Sequence, residues 1–122
     1  MSVEIVKEFA FDAAHFLPTA AEGHPYRRMH GHSFSAEVAL AGKPDPASGW
    51  LVDFAVIEAA LVALRGRLDH RVLNDIAGLG VPTLENLAAW IYGELAARLP
   101  GLARVTVRRQ SCGESCTYRP DR

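Results

Sequence analysis

The sequence predicts an α+β domain in the order ββααββ, with two helices on one face of an antiparallel four-stranded sheet. Three observations predict it. Apolar and polar residues alternate toward both ends of the chain, apolar spacing changes to three and four in the middle, and Gly/Pro clusters separate these stretches. Val3 to Ala14 alternates, with Val3, Ile5, Phe9 and Phe11 on one side and Glu4 and Glu8 opposite. Ser33 to Leu40 repeats the pattern, setting Phe34, Ala36, Val38 and Leu40 against Ser33, Ser35 and Glu37. Gly42-Lys43-Pro44-Asp45-Pro46 ends it. From Asp53, the residues Phe54, Ile57, Leu61, Leu64 and Leu68 form the stripe of an amphipathic helix. Pro82-Thr83 announces a second helix, with Thr83 as N-cap and Glu85 suited to the first turn. It runs through Leu87, Ile91, Leu95 and Leu99 until Pro100-Gly101 stops it. Ala103 to Arg109 returns to alternation, and Cys116 to Tyr118 is a short last strand.

With 122 residues, the chain reads as a single domain, 1–122, large enough for one core. A formal net charge of −1 with scattered arginines excludes a nucleic-acid footprint; Arg27-Arg28 and Arg108-Arg109 are local basic pairs. No apolar run approaches the roughly 18 residues of a membrane span, and no basic-then-apolar leader opens the chain. The expected location is therefore cytoplasmic. Cys112 and Cys116, spaced C-x3-C, match neither a zinc-ribbon half nor a redox C-x-x-C, and read as reduced thiols.

The most informative residues are His15, His30 and His32. A strand has a side-chain period of 2, so His30 and His32 of His-Gly-His point the same way. His15 closes the first strand with the parity of Phe9, Phe11 and Ala13. Residues 16–29 contain Pro18, Gly23 and Pro25, and a connection of that kind lets the two strands pair antiparallel and brings the third imidazole in. Three neutral imidazoles with a vacant fourth position are the arrangement of a catalytic Zn2+ site, although other divalent ions also suit imidazole. The alternative is a buried histidine beside a histidine-rich turn.

Five motifs occur in order: Ala14-His15; His30-Gly31-His32; Gly49 with Val52-Asp53-Phe54; Leu68-Asp69-His70 with Leu73-Asn74; and Pro82-Thr83 with Glu85-Asn86. In these the chain resembles the 6-pyruvoyl-tetrahydropterin synthase family, most of all its bacterial 6-carboxy-tetrahydropterin synthase branch of the queuosine pathway. The resemblance covers residues of about 9 to 118. It implies the tunnelling fold (T-fold), trimers stacked into a homo-hexamer with active sites between subunits, and a zinc-dependent lyase acting on dihydroneopterin triphosphate or a related pterin. It also implies an acid/base pair at Asp69-His70, expected at the C-terminal end of the first helix, and a substrate-binding role near Thr83. Taken alone, Asp69-His70 reads as a helix C-terminal cap in preference to a catalytic pair, and the resemblance reverses that preference.

Two positions depart from the family pattern. Tyr26 stands where the family has a catalytic cysteine, four residues before His30. A phenol, with an ordinary pKa of about 10, replaces a thiol of about 8.5, which weakens proton abstraction near pH 7 unless a cation assists. Arg109 stands where the family pattern Val-x-Val-x-Glu places a pterin-anchoring carboxylate. Arg109 offers only donors and suits an anionic ligand, whereas Glu114 restores a carboxylate if the loop folds back. The readings left open are a pterin lyase, a homologue of this fold with another substrate, and a zinc-bearing binding or regulatory protein.

Overall fold

The computed structural model describes residues 2–121. The alternating segments form β1 (Val3–His15) and β2 (His30–Gly42), paired antiparallel from Val3↔Gly42 to His15↔His30. β2 in turn pairs with β3 (Leu102–Arg109), and β3 with β4 (Glu114–Tyr118), giving the sheet order β1-β2-β3-β4. A register shift at Ala39/Leu40 interrupts the β2–β3 ladder. The predicted order and class hold, and β1 and β2 run to His15 and from His30 because their ends continue the ladder past the alternating apolar residues.

Helix α1 spans Phe54–Arg65 and α2 spans Leu84–Leu95. Asp53 caps α1 by accepting from the Ala55 amide at 2.9 Å, and Thr83 caps α2 by accepting from the Asn86 amide at 3.2 Å. Both helices are shorter than their apolar stripes. Leu68 and Leu99 lie beyond them in turns, yet stay buried, at 0% and 1% exposure. A turn therefore carries each stripe's last leucine into the core. Ile57, Leu61 and Leu64 of α1, with Leu87, Ile91 and Leu95 of α2, cover Phe11, Phe34, Val38, Val105 and Val107 of the sheet. Each such side chain, fully buried, contributes about 1.5–3 kcal/mol. Phe11 and Phe34, partners in the register, stack with centroids 5.2 Å apart.

The other sheet face is polar. Arg104 bridges Glu4 and Glu37, both at 2.6 Å, Arg108 reaches Glu37 at 3.4 Å, and Thr106 and Thr117 share a hydrogen bond of 2.8 Å. Arg108 is thus half of an ion network rather than part of a free basic pair. On the outer edge of β1, residues 69–72 add a short parallel rung. The His70 amide donates to the Asp12 carbonyl at 2.7 Å, the Ala14 amide donates to that of Arg71 at 2.9 Å, and Ala14 bridges Val72. This covers edge groups that a bare strand would expose. No helix among the described residues is long and apolar enough to cross a membrane.

Candidate metal centre

The pairing of His15 with His30, and the shared parity of His30 and His32, put all three imidazoles on the helix-facing side at one end of the hairpin. Ring centroids lie 4.6 Å apart for His15–His30, 5.1 Å for His15–His32 and 4.8 Å for His30–His32. One ligand atom from each falls within 4.8 Å of the other two. Phe34 meets His15 and His32 edge-on and backs the cluster with hydrocarbon.

Backbone carbonyls set the tautomers. A carbonyl oxygen only accepts, so His15 donates from Nδ1 to Pro82 at 2.9 Å and His30 donates from Nδ1 to Arg28 at 2.7 Å. Their Nε2 lone pairs then face inward. The Nε2 atoms of His15, His30 and His32 are all buried and without any hydrogen-bond partner. Burial, reinforced by the charges of His30 and His32 and opposed by the Pro82 hydrogen bond, pushes the His15 pKa down to about 4. Burial, with Arg109 as the next cause, lowers that of His32. Neutral imidazoles with Nδ1–H held by carbonyls are what a metal ligand needs, and three orphaned, converging nitrogens fit a zinc ion.

Around this cluster the other sequence-predicted residues divide. Tyr26 lies in a 3-10 turn, Pro25–Arg27, closed by His24 Nδ1 accepting from the Tyr26 amide at 3.1 Å. Its ring is 6.1 Å from that of His30 and 42% exposed, at the mouth of the cluster. Thr83 follows Pro82, whose carbonyl holds His15, and its hydroxyl accepts as the cap of α2. Arg109 and Glu114 face each other across β3 and β4, with Nη2 to Oε1 at 2.9 Å. The β3–β4 register sets Glu114 opposite Arg109, so the Arg109 charge is matched by Glu114 instead of standing free for an anion.

Asp69 and His70 do not join the histidines. They form a second group with Asp12. Asp69 Oδ1 accepts from the Asp12 amide at 2.9 Å while Oδ2 meets Arg65 at 3.1 Å. The pair lies in the turn after α1 rather than in its last turn, because the helix ends at Arg65. His70 is in the left-handed region at φ 58°, and its side chain is 80% exposed. Even so, His32 and His70 both contribute to the wall of one open cleft. Sequence reasoning missed the two carbonyls that hold the histidines, since a backbone acceptor carries no residue signature. It also missed the part played by Asn74, whose amide donates to the Phe16 carbonyl at 2.9 Å and accepts from its amide at 3.0 Å, bracketing the residue after His15.

The sequence profile of the 6-pyruvoyl tetrahydropterin synthase family matches residues 4–121. A 6-carboxy-5,6,7,8-tetrahydropterin synthase of Synechocystis is 43% identical over 120 residues, covering 93% of this chain and 91% of that protein. A dihydroneopterin monophosphate aldolase of Pyrococcus furiosus is 36% identical over 101 residues, covering 83% and 82%. Among solved structures, a 6-pyruvoyl tetrahydropterin synthase of Caenorhabditis elegans superposes with a TM-score of 0.88 at 24% identity, covering 99% of this chain and 97% of that one.

Proposed function

The chain belongs to the 6-pyruvoyl tetrahydropterin synthase family, and from that premise we propose that it is a zinc-dependent lyase of the 6-carboxy-tetrahydropterin synthase type. Its substrate in this reading is dihydroneopterin triphosphate or a related dihydropterin. The observation that carries the proposal is the set of three buried, unpartnered Nε2 atoms of His15, His30 and His32. Zinc bound there would polarise side-chain oxygens of the substrate and stabilise negative charge on them.

The chain's own residues supply the rest. The carbonyls of Pro82 and Arg28 keep Nδ1–H on His15 and His30, so their inward nitrogens stay available as ligands. Phe34 excludes water from the back of the cluster. The Tyr26 hydroxyl, at the mouth, moves a proton to or from the substrate side chain, more slowly than a thiolate would at neutral pH. Asp69 and His70 act as a second acid/base group, with the exposed His70 ring serving a site completed at a subunit boundary. That assembly is a homo-hexamer built as a dimer of trimers, supported by a sheet whose β4 edge lies beside no further strand among the described residues. In this reading the reaction is a step of queuosine biosynthesis in the cytoplasm.

The similarity to the Pyrococcus furiosus aldolase supports a second reading, in which only a carbon–carbon bond of a dihydroneopterin phosphate is cleaved. One experiment tests both. Zinc-loaded protein is incubated with dihydroneopterin triphosphate or monophosphate and the products are identified by mass spectrometry. Release of triphosphate with a 6-carboxy-tetrahydropterin product supports the lyase, and a 6-hydroxymethyl product from the monophosphate supports the aldolase. Recovery of both substrates unchanged, with full zinc occupancy, overturns the enzymatic reading.

A further inference from the structure

His70 has a carboxylate next to it in sequence, but that carboxylate is already committed. Asp69 Oδ1 accepts from the Asp12 amide at 2.9 Å, and Oδ2 meets Arg65 Nη2 at 3.1 Å. Asp69 Oδ2 lies 3.7 Å from His70 Nε2, beyond a hydrogen bond. Arg65 is itself anchored, its Nε donating to the Ala10 carbonyl at 2.8 Å. Its guanidinium therefore matches the Asp69 charge on the side away from any use by His70.

Asp12 is placed differently. It stands opposite Ser33 in the β1–β2 register, on the polar face of the sheet, and its Oδ1 accepts from the Ser33 hydroxyl at 2.5 Å. Among the described residues no lysine or arginine pairs with it. A ring nitrogen of His70 and one carboxylate oxygen each of Asp12 and Asp69 lie within 4.8 Å of one another. The His70 amide donates to the Asp12 carbonyl at 2.7 Å, so the backbone holds the two residues together and leaves the ring, 80% exposed, to turn about its side-chain bonds. Asp12, Ser33 and His70 line one open cleft of about 470 Å³ with Arg71 and the histidine-cluster residue His32. Around the His70 ring the charges of Arg65 and Asp69 cancel. Asp12 is left as the unmatched anion beside it, with Arg71 as a further cation on the cleft wall.

An imidazole that works as acid and base is served by a carboxylate that fixes its tautomer and stabilises the imidazolium formed when it takes a proton. Resting on the proposed acid/base role of His70, we infer that Asp12, oriented by Ser33, is the carboxylate that positions the His70 ring, while Asp69 builds the turn that carries it. Asp12 is a positioning residue in this assignment. It touches neither substrate nor metal and acts through His70.

The test compares the zinc-loaded full chain with four variants. Asp12→Asn removes the charge and keeps the shape, Asp12→Glu keeps the charge, Asp12→Ala removes the group, and Ser33→Ala removes its orienting donor. All four retain the backbone bonds from Asp12 to Asp69 and His70, and thermal melts with zinc analysis establish that each is folded and loaded. On the dihydroneopterin phosphate that the unmodified protein turns over, Asp12→Asn is expected to lower kcat by about tenfold or more with KM within about threefold. Asp12→Glu should recover most of that loss, and Ser33→Ala should lose less than Asp12→Asn. Histidine-selective nitrogen-15 NMR at about pH 8 should show the His70 ring as a single tautomer in the unmodified protein and as a mixture in Asp12→Ala. A merely structural role for Asp12 moves neither the split between kcat and KM nor the tautomer. A kcat for Asp12→Asn within about twofold of the original, or a His70 ring signal unmoved in Asp12→Ala, overturns the inference and leaves the lyase reading intact. No turnover of either phosphate by the unmodified protein overturns the lyase reading and this inference with it.

Discussion

The imidazole of His15, at the end of β1, donates to the carbonyl of Pro82, at the entrance of α2, across 2.9 Å. The approach to the second helix thus fixes the tautomer of a candidate metal ligand that belongs to the first strand. Because nothing partners the Nε2 atoms of the three histidines, the protein is expected to carry about one zinc per chain. Elemental analysis should show the metal lost in the His30→Ala/His32→Ala variant. A chelator should lower the melting temperature of the unmodified protein and leave that of the variant unchanged, since a ligand present at a thousand times its Kd stabilises by about 4 kcal/mol. Full zinc in the double variant would refute the assignment.

Tyr26, a phenol at the position where the family resemblance implies a catalytic thiol, has its ring centroid 6.1 Å from that of His30. The standard synthase reaction should therefore be slow. A well-placed acid/base group is worth about two to four orders of magnitude in rate, roughly 3–5 kcal/mol in barrier. Tyr26→Cys is expected to raise kcat on dihydroneopterin triphosphate by about tenfold or more. Steady-state assays decide it, and a Tyr26→Cys protein slower than the original argues that the phenol is the working group.

His70 sits at φ 58°, held there by its amide bonding the Asp12 carbonyl. A non-glycine residue in that region stores strain of about 1 kcal/mol. His70→Gly keeps the backbone bond and relieves the strain, so it should melt slightly higher while losing about two or more orders of magnitude in kcat. A variant with unchanged turnover would remove His70 from the mechanism.

Glu37 lies between Arg104 and Arg108, and its hydrogen bond to Arg104 holds its carboxyl pKa below the ordinary value. A carboxylate so depressed stabilises the fold above the unfolded value, about 4.3, and loses that contribution as pH falls through its folded value. Glu37→Gln should accordingly cost about 1–3 kcal/mol at pH 7 and progressively less below about pH 4. Denaturant melts at pH 7 and pH 3 measure the difference, and equal losses at both would show the charge to be irrelevant.

Residue periodicity revealed the elements well because each apolar side chain that repeats at 2 or at 3.6 points to the same core. The ends of the elements were less legible. Leu68 and Leu99 belong to the helical stripes by spacing, yet enter the core from turns, and spacing does not distinguish the two routes. The histidine cluster was readable because parity along a strand is a geometric fact about the chain. The positions of Asp69 and His70 were not readable, because they depend on a rung laid against β1 by residues 69–72, a long-range pairing with no local signal. Arg109 carried a donor signature, but its partner was visible only once the β3–β4 register set Glu114 opposite it.

The register of the first hairpin has a consequence for folding. His15 lies opposite His30, and a slip of one residue between β1 and β2 would turn one set of imidazoles to the polar face. A slip of two that set His15 opposite Arg28 would keep the face but move it away from His32. Most misalignments of the hairpin therefore fail to offer three nitrogens to a single ion. An ion that binds the three together acts as a proofreader of strand pairing, rewarding the native hairpin and leaving those near neighbours unrewarded.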